Sequence, residues 1–431
     1  MNLPKTLGIV GAVVGAAMLA CPDPVFAQGG VANCADLENP VYMTGTTAVA
    51  PVIQLFGARL KNVHLTLLWN SSRDGCGSVG DFLSPTIDTS TQPVYSYYQE
   101  STVAAGKTVA FTCNAKPGQK ADLVINDVAY SSCIGNPPLP VAAAEFPGPV
   151  QGAVPIVPSS FVSYNDVMAE ELQALYICGP TAANLLGLGQ VYDYVGVTSG
   201  LKELFARDIG LASSTSFERT WTNPLIQDPT AQTMVGLVSA ANNTIGYTST
   251  EFYDLNRDRV NALKVRGVGQ LLAYWPDSSN TTNDKLNIRE GRYTLQGTLR
   301  LVAFVDGNGV PTNPTVKHII DWFQQNPIDP SLQLPFDVTE IYAKGGVVPR
   351  CAMKVTNDDD KAVFKHFKPA QPCHCAFQVL ATGKTSIAGC VPCTGGSAGA
   401  VDGGVADGGV TSSAGTCAAN QICSHGYCEQ P

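Results

Sequence analysis

Short apolar runs alternate with amphipathic stretches across residues 39–344, and this alternation constrains the fold more than any other feature of the sequence. Strand character is concentrated in four runs, at residues 64–69, 123–125, 154–157 and 299–305. Apolar residues at helical spacing predict helices over residues 169–177 and 316–325. Strands interleaved with helices are typical of α/β proteins, so we expect an α/β fold.

The balance of apolar and charged residues indicates a large hydrophobic core. Of the 431 residues, 45% are hydrophobic and 14% are charged, which excludes a disordered chain and leaves room for two or three domains. The formal net charge is −9, whereas nucleic-acid binders carry a basic footprint, so that class is excluded. Any bound anion must therefore be held by local dipoles and hydrogen bonds.

The N-terminus has the pattern of an export signal. Lys5 places a positive charge ahead of an apolar run at residues 7–20, which is too short for a stable membrane span. Cleavage after Ala27 would release the protein into the periplasm or outside the cell. Cys21 offers the alternative of a lipid-anchored form. We expect no membrane span after removal of the signal, because no other segment is long and apolar enough.

The cysteines of an exported chain predict disulfide bonds. There are 14 of them, and loss or acylation of Cys21 leaves an odd number, so one is expected to stay free or to pair with another chain. The spacing of residues 373–375, Cys390 and Cys393 also permits zinc ligation, but export favours disulfides. We expect no metal and no cofactor, and the sequence leaves the disulfide pairing open.

Two stretches near the N-terminus have the composition of anion-binding turns. Thr46 and Thr47 precede an apolar helical stripe, where a threonine caps free backbone N–H groups that can also hold an anion. Three glycines in residues 75–80 match a dinucleotide-binding pattern, but no acidic residue follows a second strand as that pattern requires. We favour a glycine-rich turn that presents the Ser78 hydroxyl. For Thr46 and Thr47 an ordinary helix cap is the alternative.

Two further stretches place polar residues next to apolar segments. Asp127 follows the apolar run at 123–125. Ser213, Ser214 and Thr215 form a hydroxyl cluster that, with Arg207 upstream, has the groups needed to clamp an oxyanion. A strand-end turn and a helix cap also explain these residues. We do not expect an enzyme, because neither a nucleophile–base arrangement nor metal-ligand spacing of histidines appears.

The order of these stretches resembles the substrate-binding protein family of the phosphate ABC transporter, in the type II periplasmic-binding-protein class. The motifs that carry the resemblance are, in chain order, TGTTAVAP, GCGSVG, VINDVAYS, AVPIVPSSFVSYND, SSTSF and NNTIGYTSTEFYD. The resemblance covers residues 41–323, and the shared order is more specific than any single motif. It implies two α/β lobes joined by a hinge, with the ligand in the cleft between them.

Carried over by position, the resemblance implies six ligand contacts: Thr46, Thr47, Ser78, Asp127, Ser213 and Thr215. Asp127 would distinguish hydrogen phosphate, which has a proton to donate, from sulfate, which has none. Ile209 stands where the family has its clamping arginine, so Arg207 fits only if two residues bulge out, and Ser214 replaces a glycine. These departures keep a second hypothesis open, a structural or adhesive envelope protein with the same fold and no small-anion ligand.

The motifs and the changes in composition predict the organisation of the chain. It comprises a signal peptide (1–27), the first part of lobe 1 (28–158), lobe 2 (159–267), a return to lobe 1 (268–345), a cysteine-rich extension (346–393), a glycine-rich flexible linker (394–416) and a cysteine-rich tail (417–431). Residues 84–112 and 134–149 have the composition of insertions. The expected partners are phosphate or a similar oxyanion and an ABC permease, and the protein is expected to be a monomer.

Overall fold

The structure is a computed structural model that describes residues 32–71, 74–84, 92–104, 107–133, 138–194, 199–212, 230–326, 334–357, 360, 363–394 and 417–430. Within these residues the protein combines helices with a large mixed sheet, which confirms the expected α/β class. None of the helices in these ranges is long and apolar enough to cross a bilayer.

The strands of the described residues are β1 (Ala32–Asn33), β2 (Pro40–Gly45), β3 (Thr66–Asn70), β4 (Val94–Glu100), β5 (Thr108–Asn114), β6 (Leu123–Asn126), β7 (Ala143–Pro158), β8 (Asp166–Met168), β9 (Gln190–Val191), β10 (Thr244–Ser249), β11 (Val260–Ala262), β12 (Lys264–Arg266), β13 (Gln296–Phe304), β14 (Val355–Thr356), β15 (Lys365–His366), β16 (Ile422–Ser424) and β17 (Tyr427–Glu429).

The α-helices of the described residues are α1 (Ala50–Leu60), α2 (Gly75–Leu83), α3 (Ala169–Cys178), α4 (Pro180–Leu185), α5 (Gly200–Asp208), α6 (Ala231–Ala240), α7 (Thr250–Leu255), α8 (Leu286–Arg289), α9 (Pro314–Gln324), α10 (Val338–Gly345) and α11 (His374–Thr382). The strands and helices expected from apolar runs all appear, with shifted ends. The run at 64–69, for example, becomes β3 only from Thr66 onward.

One mixed sheet dominates the described structure. Its strands follow the order β1-β5-β4-β3-β2-β6-β13-β7-β10-β9, and β11 pairs with β7 beside this path. β2 is parallel to both β3 and β6, whereas β13 is antiparallel to β6 and to β7. Because the carboxyl ends of parallel strands meet at one edge of a sheet, the residues that follow β2 and β6 lie side by side.

β7 connects two halves of this sheet. Its residues 143–152 pair with β13, and its residues 153–158 pair with β10 and β11. We term the strands from β1 through β6, with helix α2, β13 and the first part of β7, lobe 1. The second part of β7, with helix α5 and strands β9, β10 and β11, makes up lobe 2. A single strand therefore carries the chain from one lobe to the other.

Two large hydrophobic clusters form the core. The first packs α1 against α9 and α10 around Phe56, whose ring meets Phe323 and Phe336 edge to face. The second includes residues of α2, α3, α5, α6 and β10, with Phe205 stacked on Tyr247 at 4.0 Å between ring centroids. Because α2 of lobe 1 and α5 share the second cluster, the lobes are packed against each other there.

Two stretches differ from the expectation. The glycine-rich segment after β3 is helix α2 rather than a turn, because Asp74 caps it, with Oδ1 accepting the Gly77 N–H at 2.9 Å, and its apolar face enters the core. The first expected insertion contains β4 and β5, an antiparallel pair that extends the sheet beyond β3. Its tyrosines and β-branched residues suit a half-buried strand, so its composition reflects an edge of the sheet.

Six disulfides join the described cysteines: Cys34–Cys113, Cys76–Cys133, Cys351–Cys373, Cys375–Cys390, Cys393–Cys423 and Cys417–Cys428. Cys178 is the free cysteine of this set, and it is exposed. The odd cysteine expected from the sequence is therefore located on the surface of α3.

The tail packs on the extension rather than standing apart from it. The N–H of Cys393 donates to the carbonyl of Gly426 and that of Cys428 donates to the carbonyl of Val391, both at 2.9 Å. The Glu429 carboxylate accepts the N–H of Cys375 at 2.6 Å, at the start of α11. The glycine-rich segment expected as a linker therefore begins and ends next to the same folded unit, which the extension and the tail form together.

Candidate ligand-binding site

Helix beginnings converge beside the end of β6. A Cβ built on Gly75, the first residue of α2, would lie 2.2 Å from Asn126 Oδ1. A Cβ on Gly200, the first residue of α5, would lie 2.7 Å from Asp127 Oδ2. Thr46, which caps the short 3₁₀ turn before α1, forms a hydrogen bond with Asp127. The positive ends of helices from both lobes therefore face Asp127.

Asp127 is fully buried and accepts hydrogen bonds from three directions. The side-chain Nε2 of Gln151 donates to Oδ1 at 2.6 Å, and the Thr46 hydroxyl and the Leu201 N–H also donate to the carboxylate. Burial raises the pKa of Asp127 to about 6; the hydrogen bonds oppose this shift and the charge of Asp74 adds to it. At neutral pH the carboxylate is mainly ionised and serves as an acceptor.

Glu251 is a second buried carboxyl near Asp127. Ser249 at the end of β10 lies opposite Ala153, and the hydroxyl of Thr250, the first residue of α7, accepts the N–H of Gly152 at 3.2 Å, so Glu251 follows a residue that contacts the neighbour of Gln151. The Thr250 hydroxyl donates to Glu251 Oε2 at 3.1 Å. Burial raises the pKa of Glu251 to about 8, with a smaller contribution from the negative charge of Asp127. Glu251 therefore keeps its proton at neutral pH and has an O–H to donate.

We term this group of side chains the polar cluster; its members are Thr46, Asp127, Gln151, Thr250 and Glu251. Two of its buried atoms, Gln151 Oε1 and Glu251 Oε1, have no hydrogen-bond partner of good geometry in the structure. Buried polar atoms in folded proteins are nearly always bonded to protein, water or ligand. The polar cluster thus retains acceptor and donor capacity for a small polar ligand, next to helix ends that favour negative charge.

The predicted site residues fall in three places. Thr46 and Asp127 belong to the polar cluster, and Thr47 begins the 3₁₀ turn beside it. Ser78 is buried one turn inside α2, with its hydroxyl 3.3 Å from Thr44 Oγ1. Ser213, Ser214 and Thr215 lie outside the described residues.

Arg207 stands at the other end of α5 from the polar cluster. Each helical residue advances the chain by about 1.5 Å, so Arg207 lies about 10 Å along the axis from Gly200. Its Nη2 donates to the Ser132 carbonyl, and its Nη1 lies 3.7 Å from Asp360 Oδ2. The structure therefore does not bring Arg207 together with Asp127.

Sequence reasoning missed Gln151 and Glu251. Gln151 interrupts an otherwise apolar run at residues 146–158, which is a signal that a buried polar contact is needed. Glu251 follows Ser249 and Thr250 at a helix start, where an acidic residue is common, so nothing marked it as a site residue. Only the pairing of β10 with β7 places the two near each other.

The cysteines that permitted a zinc interpretation are all in disulfides. Cys373 pairs with Cys351, and Cys375 pairs with Cys390. The sulfurs of Cys393, Cys417 and Cys428 lie within 4.8 Å of one another, but each belongs to a disulfide and offers no thiolate to a metal.

No protein-family model and no curated protein matches this chain. Among solved structures, an ABC-type phosphate transport receptor from Vibrio cholerae is 14% identical with a TM-score of 0.44, over 72% of this chain and 99% of that chain. PstS from Borrelia burgdorferi is 14% identical with a TM-score of 0.36, over the same shares. An OxyR protein from Corynebacterium glutamicum is 10% identical with a TM-score of 0.36, over 67% of this chain and 66% of that chain. These identities and TM-scores are too low to assign the function of any of the three proteins to this chain.

Proposed function

We propose that this chain is an exported solute-binding protein that takes phosphate or a related protonated oxyanion at the polar cluster. The observation that carries the proposal is the meeting of helix N-termini from both lobes around a buried carboxylate, with unpaired atoms on Gln151 and Glu251. A ligand held there would contact both lobes, as a solute-binding protein requires.

The two carboxyls, Asp127 and Glu251, make the site prefer an oxyanion that carries a proton over one that does not. Ionised Asp127 repels an anion unless that anion donates a proton to it, which hydrogen phosphate does and sulfate does not. Protonated Glu251 supplies a donor to another oxygen of the same anion. Together they favour a ligand that both donates and accepts hydrogen bonds.

The proposal also states that the protein is exported and that it binds its ligand without converting it. The six disulfides favour an oxidising compartment, either the periplasm or the cell surface. The polar cluster consists of two carboxyls, one amide and two threonine hydroxyls and contains no serine, cysteine or histidine, so we propose that it binds a ligand without enzymatic activity. An ABC permease as partner and a monomeric state belong to the same proposal.

A second candidate, a structural envelope protein without a small-anion ligand, is favoured by one specific arrangement. The Leu201 N–H at the start of α5, which an anion would need, is taken by Asp127 itself. Arg207 is engaged by Ser132 and Asp360. In this alternative, the Asp127 carboxylate itself supplies the negative charge that the helix N-termini favour, and no separate anion binds there.

Calorimetric titration of the purified, ligand-free protein with phosphate, and separately with sulfate, tests both candidates. We expect phosphate to bind one to one and sulfate not to bind. Asp127→Asn should relax this discrimination, because the amide can donate to a fully ionised oxyanion. Asp122→Asn is the matched control: it precedes the same strand and its carboxylate accepts the Tyr42 N–H at 2.9 Å.

The outcomes separate the candidates. Phosphate binding that Asp122→Asn keeps and Asp127→Asn broadens to sulfate supports the solute-binding function. No heat from either anion with folded, ligand-free protein would reject phosphate as the ligand and favour the structural alternative.

A further inference from the structure

A small cavity lies between strand β13 of the sheet and the segment that leads into the cysteine-rich extension. Its lining includes Gln296 and Thr298 of β13, Arg350 and Met353 before β14, and the rings of Phe364 and Phe367. Its volume is about 10 Å³, which is the space of a single water molecule or monatomic ion.

Gln296 brings an unsatisfied amide to this cavity. The residue is only 3% exposed, and neither its Nε2 nor its Oε1 has a hydrogen-bond partner in the structure. Leaving a buried amide unpaired costs free energy, so an occupant that accepts from Nε2 would be stabilising.

Arg350 brings a positive charge that no described residue neutralises. It is half-buried, and no hydrogen bond or ion pair links its guanidinium to a described side chain or carbonyl. The guanidinium carbon lies 5.3 Å from the centre of the Phe367 ring. Burial lowers the pKa of Arg350, and the positive charge of Arg300 lowers it further. Arg300 has its own counter-charge, since its Nη2 lies 3.5 Å from Asp360 Oδ1.

A half-buried cation that has no counter-charge among the described residues is stabilised by a bound anion. Met353 and the two phenylalanines give the cavity apolar walls, which lower the local dielectric and strengthen a charge interaction beside them. An oxyanion has several heavy atoms and exceeds the volume, whereas a halide ion fits it. Water fits as well, but it does not neutralise Arg350.

We propose that this cavity binds a monatomic anion of the size of chloride, held by the Arg350 guanidinium and the Gln296 side-chain amide. The ion joins β13 to the segment that leads into the extension, so it fastens the extension to the core. This site uses none of the residues of the polar cluster, although Gly297, which lines the cavity, pairs with Gln151 across β13 and β7.

Thermal unfolding of the full chain in sodium chloride and in sodium gluconate at equal ionic strength tests the proposal. Chloride should raise the unfolding midpoint by a few degrees in a saturable way, because it binds only the folded state. Arg350→Met and Gln296→Leu should lose this rise while keeping the shape of the side chain. Arg292→Met is the control, because Arg292 is exposed and its Nη2 is paired with Glu290 at 2.7 Å.

Diffraction from crystals grown in sodium bromide gives the position of the ion. We expect a bromine anomalous peak between Arg350 and Gln296, and this measurement on the unchanged chain decides the matter even if the variants do not fold. A cavity that holds only water, or a chloride response that persists in folded Arg350→Met, would overturn the proposal.

Discussion

Asp127 and Glu251 are two carboxyl groups buried near each other, and their surroundings give them different protonation states. Asp127 receives hydrogen bonds from Gln151, Thr46 and Leu201, which favour its ionised form and hold its pKa to about 6 despite burial. Hydrogen bonds from Ser249 and Thr250 also favour the ionised form of Glu251, but its burial, with a contribution from the charge of Asp127, outweighs them and raises its pKa to about 8. At neutral pH one is an acceptor and the other a donor, which is the division of roles that a protonated oxyanion needs.

The raised pKa of Glu251 makes the stability of the protein depend on pH. The folded state keeps a proton that the unfolded state releases above about pH 4.5. The contribution of Glu251 to the free energy of unfolding is therefore fully present below that pH and is lost as the pH rises toward 8. Glu251→Gln cannot ionise and should remove this contribution, which amounts to about 1.4 kcal/mol for each unit of pKa shift.

Urea unfolding of both proteins at pH 5, 6.5 and 8 measures the effect. The free energy of unfolding of the variant should increase relative to that of the wild type as the pH rises. Glu340→Gln is the control, because its carboxylate forms an ion pair with Lys344 on the protein surface. An equal difference between variant and wild type at all three pH values would contradict a protonated Glu251.

At the residue scale, sequence reasoning identified the groups that follow apolar runs and missed those that depend on long-range pairing. Asp127 was found because a short apolar strand ends in front of it. Glu251 and Gln151 come together only through the register of β10 on β7. Arg207 was placed near the site by the order of motifs, but its contact with Asp360, far along the chain, could not be read from the sequence.

At the scale of elements, α2 illustrates why composition misled the prediction. Glycine lowers helix propensity, so a segment with three glycines in its first six residues is expected to turn. Tertiary contacts reverse that preference, because Gly75 lets the helix start approach Asn126 and Asp127 more closely than a side chain allows. The glycine that weakens the helix locally is what brings its positive end to the polar cluster.

This argument predicts opposite effects for two alanine substitutions in α2. Gly75→Ala should destabilise the protein by roughly 1–3 kcal/mol, because the new Cβ would meet Asn126 Oδ1 at 2.2 Å and push the helix away. Gly80→Ala has no atom within 4 Å of the new Cβ and should be neutral or stabilising, by up to about 1 kcal/mol. Chemical denaturation of the two variants gives both values. If Gly75→Ala destabilised the protein no more than Gly80→Ala, the start of α2 would not approach Asn126 as closely as the structure shows.

At the scale of the whole molecule, the sequence predicted the α/β class because alternating runs report which elements exist. It could not predict how the cysteines pair, since many pairings suit the same spacings. The pairing matters for the architecture. Cys393–Cys423 closes the glycine-rich segment at its base and joins the tail to the extension, and hydrogen bonds around Val391 and Gly426 support the same contact.

The disulfide between Cys393 and Cys423 predicts how the chain behaves once it is cut. A protease recognition sequence is introduced within residues 395–416, and the cleaved protein is run on denaturing gels with and without reductant. The tail should stay attached without reductant and separate with it, because the bond crosses the cut whereas Cys417–Cys428 lies wholly on the tail side. In the control Cys393→Ser/Cys423→Ser, cleavage should release the tail on both gels. Release of the tail from the otherwise unchanged protein without reductant would show that Cys393 is not bonded to the tail, and the extension and tail would then be held together by hydrogen bonds alone.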